Sequence, residues 1–389
     1  MNESTHLMSD RVLVFDTTLR DGEQSPGVSL KLPQKLEIGH ALVDLGVDII
    51  EAGFPISSPG DFESVHTLAK ELKGVTICGL TRAREKDIDV AAEALQPAES
   101  RRIHTGLGVS DNHLEHKLRM TREQALEVGV NAVKHARQYT DNIEYFMEDS
   151  GRADREYVFR VVESVIAAGA NTINVPDTTG YTFPTEYGSL IREIRENVPN
   201  SDKAVFSCHC HNDLGMATAN TLAGVLGGAR QVEVTVNGIG ERAGNTSLEE
   251  VVVALKIRQD LFGVDTRVNP AKLLGLSKLV SRLSGMIVQR NKAVVGANAY
   301  AHSSGIHQDG VLKERSTYEI IAPEMVGAEK SEIILTARSG RHGLKHRLLE
   351  LGFNFGDDRF EELYAKFLEI ADQKTEVLDE DLRSLVTAR

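Results

Sequence analysis

At 389 residues the chain is long enough for one domain of about 250 residues with an appendage, or for two ordinary domains. Its composition is that of a soluble globular protein, with no tryptophan and no low-complexity tract. A net charge of −13 argues against a nucleic-acid surface, and no apolar run approaches the roughly 18 residues of a membrane span. Short apolar runs then recur along the chain, each followed by a longer stretch of helical periodicity. Val12–Phe15 precedes a helix over 33–45, Ile49–Gly53 one over 60–72, and Val75–Gly79 one through 90–95. Arg102–Thr105 precedes a helix over 122–139, Ile143–Phe146 one over 155–168, and Thr172–Val175 one over 186–197. Val205–Cys208 precedes a helix over 214–226, and Gln231–Val236 one over 248–261.

Those are eight strand–helix units, and the gaps between strands are too long for hairpins. Parallel strands need crossovers, and helices are the usual crossovers. Eight such units in about 250 residues predict a TIM (β/α)8 barrel over residues 10–270. A doubly wound sheet would need a switch point and usually a nucleotide fingerprint near the first strand, and neither is visible. Beyond Val268-Asn269-Pro270 the rhythm changes. A helix is expected over 273–283, an irregular segment over 296–307, and two more helices near 343–351 and 358–371. Residues 271–389 are therefore read as a mainly helical C-terminal appendage of linker and lid subdomains, with little core of its own.

In a TIM barrel the chemistry sits at the C-terminal ends of the strands. Here those ends supply Asp16 to Gln24, then Glu51, His104, Glu148 and Asp149. They continue with Asp177-Thr178-Thr179-Gly180, the pair His209 and His211, and Asn237 to Asn245. Each polar residue alone is more simply explained by solvation or capping; a dense set around one mouth is not. Side chains alternate along a strand, so His209 and His211 share one face and Cys208 and Cys210 the other. Two imidazoles and one carboxylate, with open positions left for water, make a mixed site for a catalytic divalent cation. Asp21 is the expected carboxylate, because the neighbouring Arg20 could bind a carbonyl oxygen as negative charge develops there. The plain alternatives are solvated loop histidines and an Arg20 that merely pairs with Asp16 or Glu51. The glycines at 238, 240 and 244 miss Gly-x-Gly-x-x-Gly by one residue and follow the last strand, so no Rossmann site is expected.

Several of these stretches are recognisable. Leu19-Arg20-Asp21-Gly22-Glu23-Gln24 with Lys35, and Phe206-x-x-His209-x-His211-Asn212-Asp213-x-Gly215, resemble the two signatures of the 2-isopropylmalate/homocitrate synthase family. Asn237–Asn245 and Ala301–Gly310 resemble that family too, and the likeness covers nearly the whole chain. It implies metal ligands at Asp21, His209 and His211, with Asn245 in or close to the metal shell. It implies that Arg20 binds the ketone oxygen, that His104 and Thr178 contact a 2-oxo acid, and that Glu148 or His307 is the base. The cofactor implied is a divalent metal (Mn²⁺, Mg²⁺ or Zn²⁺), with acetyl-CoA as co-substrate. The reaction implied is condensation with 2-oxoisovalerate at the start of leucine biosynthesis; pyruvate or 2-oxoglutarate as acceptor is the alternative. A homodimer is implied, in which the appendage of one subunit covers its partner's barrel mouth and supplies His307 in trans.

The chain departs from the family pattern at two places. Phe146 stands where close relatives often carry a small hydroxyl residue, and Gly106–Asn112 differs from the familiar Phe-Ile-Ala-Thr-Ser. Leucine-inhibited members continue into a regulatory domain that is not expected in this chain. A lyase of the same superfamily and a metal-dependent hydrolase are the competing activities. Three cysteines, Cys78, Cys208 and Cys210, form an odd, sparse set that suggests a reducing compartment. The polar start over residues 1–10 lacks the core of a secretory signal, so a cytoplasmic location is expected, with no membrane or nucleic-acid partner.

Overall fold

The computed structural model describes residues 11–387; the polar start over 1–10 lies outside them. Eight parallel strands close into a barrel in sequence order, with the first hydrogen-bonded to the last. They are β1 (Leu13–Asp16), β2 (Ile49–Gly53), β3 (Thr76–Leu80), β4 (Ser100–Gly108), β5 (Ile143–Glu148), β6 (Thr172–Asp177), β7 (Val205–Cys210) and β8 (Gln231–Val234). The expected TIM barrel is therefore present. Its crossover helices are α1 (Leu32–Leu45), α2 (Pro59–Glu71), α3 (Glu85–Ala94), α4 (Arg122–Ala136), α5 (Arg155–Ala168), α6 (Pro184–Asn197) and α7 (Ala217–Gly227), and α8 (Leu248–Ile257) follows the last strand.

Where the boundaries differ from expectation, local chemistry decides. The helix expected from 214 begins at Ala217, because Gly215 turns with positive φ and Asn212 Oδ1 accepts the Ala217 N–H. The helix expected over 248–261 breaks at Arg258, where the backbone leaves helical geometry, and resumes as α9 (Gln259–Phe262). Strand β8 stops two residues early, since Val236–Gly238 forms a 3-10 turn with Asn237 left-handed. Helix α10 (Leu273–Ser284) completes the first of two compact units, which ends at Ile287.

The second unit starts at Val288. The stretch expected to be irregular instead holds β9 (Ala301–His302) and α11 (Gly305–Lys313), and β9 pairs in parallel with β10 (Glu332–Ile333). Gln308 accounts for this order: buried, it donates from Nε2 to the carbonyls of His302 and Ile334 and to Ser339 Oγ, tying the helix to both strands. Three helices follow rather than two: α12 (Arg341–Glu350), α13 (Asp357–Ala371) and α14 (Asp379–Thr387). The unit also has more core than its size suggested, with Leu344, Leu363, Phe367 and Leu382 fully buried in one cluster. Among the described residues, no helix is long and apolar enough to cross a membrane.

The inside of the barrel holds a polar network beside a small apolar cluster of Phe15, Ile49 and Cys78. Arg102 donates to Glu144 and Gln231, and Gln231 donates to Glu144 and Ser207. Burial and the nearby Glu233 carboxylate push the Glu144 carboxyl up to about 8, the direction expected of a desolvated acid beside a like charge.

Candidate active site

Asp21 sits just after β1, in a turn whose backbone N–H is accepted by Thr17 Oγ1. His209 is on β7, and His211 follows it on the same face, as strand alternation requires. The three side chains are buried and converge: Asp21 Oδ2 lies 3.3 Å from His209 Nε2 and 3.9 Å from His211 Nε2. The two Nε2 atoms are 3.2 Å apart. Burial lowers the pKa of both rings, but hydrogen bonds to Asp21 and Glu233 push His209 up to about 10. Burial and the His209 charge hold His211 down at about 3. One proton thus stands between donors that a cation would draw together in its place.

Asn245 completes the set. Its Nδ2 donates to the Ile239 carbonyl, and its buried Oδ1 has no hydrogen-bond partner. A Cβ on Gly240 would lie 2.1 Å from Asn245 Nδ2 and 3.5 Å from Asp21 Oδ1, so only glycine lets this loop pass between the two side chains. His211 and Asn245 are also bridged through the backbone. A carboxylate oxygen, two imidazole nitrogens and an orphaned amide oxygen fit a divalent cation in a mixed N/O shell. Behind them, His209 Nδ1 donates to Glu233 Oε2 at 2.9 Å, fixing the tautomer that leaves Nε2 free to ligate. Sequence reasoning missed Glu233. The signal was there, in the alternation of Gln231 and Glu233 with valines, but polar inward residues are common in barrels.

Beside this cluster Arg20 donates from Nε to Glu51 Oε2 at 2.6 Å and from Nη1 to Asp21 Oδ2 at 3.0 Å. The structural partner is Glu51, not Asp16, whose oxygens accept from the Thr18 N–H and hydroxyl. Glu51 is fully buried; burial raises its pKa, but Arg20 and His104 outweigh this and hold it at about 2. His104 lies in the middle of β4 rather than at its end. It donates from Nδ1 to Glu51 Oε1 at 2.8 Å, and its Nε2 is 3.3 Å from Asn174 Nδ2.

Arg20, Asp21, His104, Asn174, His209 and His211 line a cavity of about 640 Å³. Thr178 borders it and accepts the Asp149 N–H on Oγ1. Glu148 borders it too, with both carboxylate oxygens taken by Lys117. Leu80, Leu107, Met120, Val128 and Phe146 supply apolar surface. Phe146 stands edge-on to His104, and a Cβ on Gly106 would lie 2.7 Å from its ring, so the two departures from the family pattern are one wall. The 104–112 connection brings no Arg or Lys, but other segments do: Arg82, Arg84, Lys117 and Arg242.

His307 belongs to the second unit, on α11, where its exposed ring stacks on Tyr318 with centroids 4.2 Å apart.

Comparison with known proteins agrees with this fold. Residues 11–280 match the HMGL-like family model, and residues 294–375 match the homocitrate synthase post-HMGL domain-like model. The 2-isopropylmalate synthases of Pseudoalteromonas atlantica and Parabacteroides distasonis are each 56% identical over 97% of the chain, which spans 73% and 76% of their lengths. That of Aquifex aeolicus is 55% identical over 97% of the chain and 73% of its own length. Among solved structures, the hydroxymethylglutaryl-CoA lyase of Pseudomonas aeruginosa shares the fold, with a TM-score of 0.61 and 21% identity over 75% of this chain and 96% of that one. The chain belongs to the 2-isopropylmalate synthase family, acyltransferases built on an HMGL-like barrel.

Proposed function

We propose that this chain condenses acetyl-CoA with 2-oxoisovalerate and water to give 2-isopropylmalate and CoA. The observation that carries the proposal is the convergence of Asp21, His209 and His211 beside Arg20, with Asn245 bridged to His211, in a chain so similar to proteins of that name. A divalent cation held by those four residues would supply Lewis-acid polarisation of the acceptor ketone. Arg20, fixed by Glu51, presents positive charge where the ketone oxygen becomes an alkoxide. His104 and Thr178 orient the acceptor, and the apolar wall around Phe146 takes its isopropyl group. A base, Glu148 or His307, removes a proton from the acetyl methyl, and the resulting carbanion attacks the ketone carbon. Hydrolysis of the thioester then releases CoA. In this scheme two chains form a homodimer, and the second unit of each covers the other's barrel mouth.

Thiol release from acetyl-CoA, measured separately with 2-oxoisovalerate, pyruvate and 2-oxoglutarate, is expected to give the highest kcat/KM with 2-oxoisovalerate. A higher value with pyruvate or 2-oxoglutarate would assign a citramalate or homocitrate synthase instead. The pocket cations Arg82, Arg84 and Arg242 make the 2-oxoglutarate arm a real contest.

Turnover is also expected to vanish on exhaustive chelation, and to return to different extents with Mg²⁺, Mn²⁺ or Zn²⁺. A full rate in protein shown by elemental analysis to be metal-free would sink the four-residue site.

A further inference from the structure

Glu148, at the end of β5, is the one barrel residue among the base candidates, yet its surroundings oppose that role. Lys117 Nζ donates to both of its oxygens, at 2.6 and 2.7 Å. His113 Nδ1 is 3.5 Å from Oε2, in the ion-pair range. A carboxylate with both oxygens on one ammonium is a poor proton acceptor. Lys117 and His113 both come from a π-helical turn over His113–Leu118, closed by Arg119 in the left-handed region at φ 54°. Such turns are uncommon and concentrate at functional sites.

We propose that Lys117 is a positioning residue that restrains Glu148 until an anionic group of a substrate draws the ammonium off it. This rests on the condensation proposed above. Three observations carry it. Lys117 lines the same cavity as Arg20 and Asp21, so an anion entering there meets it. Its side chain is 54% exposed, and exposed ion pairs are weak enough for a phosphate or carboxylate to compete for them. His113 sits in the same turn, and its buried Nδ1, 3.5 Å from Glu148 Oε2, has no hydrogen-bond partner, so it can take up the carboxylate that Lys117 gives up. The titratable groups facing Glu148 are Lys117 and His113, both from the β4–α4 connection. Asp149 next to it is held by Arg152 and Ser110 and lies 3.7 Å from His113 Nε2, and the neighbouring Thr178 on the β6 side carries no charge. Burial raises the Glu148 pKa, but His113 and Lys117 outweigh that and hold it at about 2.

The test follows Glu148 directly, by ¹³C NMR of the metal-loaded full chain labelled at glutamate Cδ, with Glu148→Gln assigning the signal. In wild type the signal is expected not to titrate above about pH 4, and in Lys117→Gln its midpoint should rise by roughly 1–3 pH units. Lys117→Arg, which keeps the charge, should behave as wild type. Coenzyme A and 2-oxoisovalerate, added separately to wild type, tell which substrate supplies the anion; a rise with either supports the proposal. An unmoved midpoint in Lys117→Gln, or no rise with either compound, overturns it. In turnover, Lys117→Gln should raise KM for the substrate that moved the signal more than it lowers kcat. If no 2-oxo acid supports thiol release, the condensation itself fails while the titration still decides the role of Lys117.

Discussion

Arg20→Lys is expected to lower kcat about 10²- to 10³-fold, with Tm close to wild type. Arg20 holds two carboxylates at once, Nε on Glu51 and Nη1 on Asp21, and this fixes the plane of the guanidinium. A lysine keeps the charge but offers a single nitrogen. It cannot hold both carboxylates and still aim at a developing oxyanion. Arg20→Ala would be the poorer experiment, because it leaves buried Glu51 only its His104 and Thr17 partners and strips Asp21 of its cation. Breaking a buried pair costs about 3–5 kcal/mol of stability and confounds the rate. The ion pair and the chemical role do not compete here; the pair is what aims the side chain. A near-wild-type kcat in a folded Arg20→Lys protein would leave Arg20 with the structural role alone. Saturating concentrations of both substrates are needed, so that a change in binding is not mistaken for a change in rate.

The barrel was legible in the sequence because parallel strands buried on both faces read as short apolar runs. Its helices were legible from their 3.6-residue period. Their ends were not, since the start of α7 depends on one Asn212 side chain and the break after α8 on one residue's ψ angle. Asp21, His209 and His211 could be chosen because strand ends in a barrel converge wherever they fall in the chain. Lys117 could not. Its partner is 31 residues away, and a lysine in a polar connection looks like any solvated residue. His307 was placed in an irregular stretch because Ala301–Gly310 is small and polar, yet Gln308 buried among carbonyls makes part of it a helix.

Mixing His307→Ala with Asp21→Asn, each inactive alone, is expected to restore activity once subunits exchange. Asp21 belongs to the cation cluster of the first unit, and His307 to an exposed helix of the second. If His307 acts across a dimer interface, a heterodimer has one site carrying both lesions and one carrying neither. With free exchange of equal amounts, half the dimers are mixed, so the rate should approach about one quarter of wild type. If His307 acts within its own chain, each site of the heterodimer keeps one lesion and the mixture stays dead. The physical reason to expect the first result is the chemistry asked of the imidazole. A base for the acetyl methyl must work where water is excluded, and a lid arriving from elsewhere can bring the ring and close the mouth in one movement. Stacking on Tyr318 holds the ring in a defined orientation before it arrives, which lowers the entropy lost on closing. Verified exchange, by mass spectrometry of differently labelled chains, makes a dead mixture decisive against the shared site.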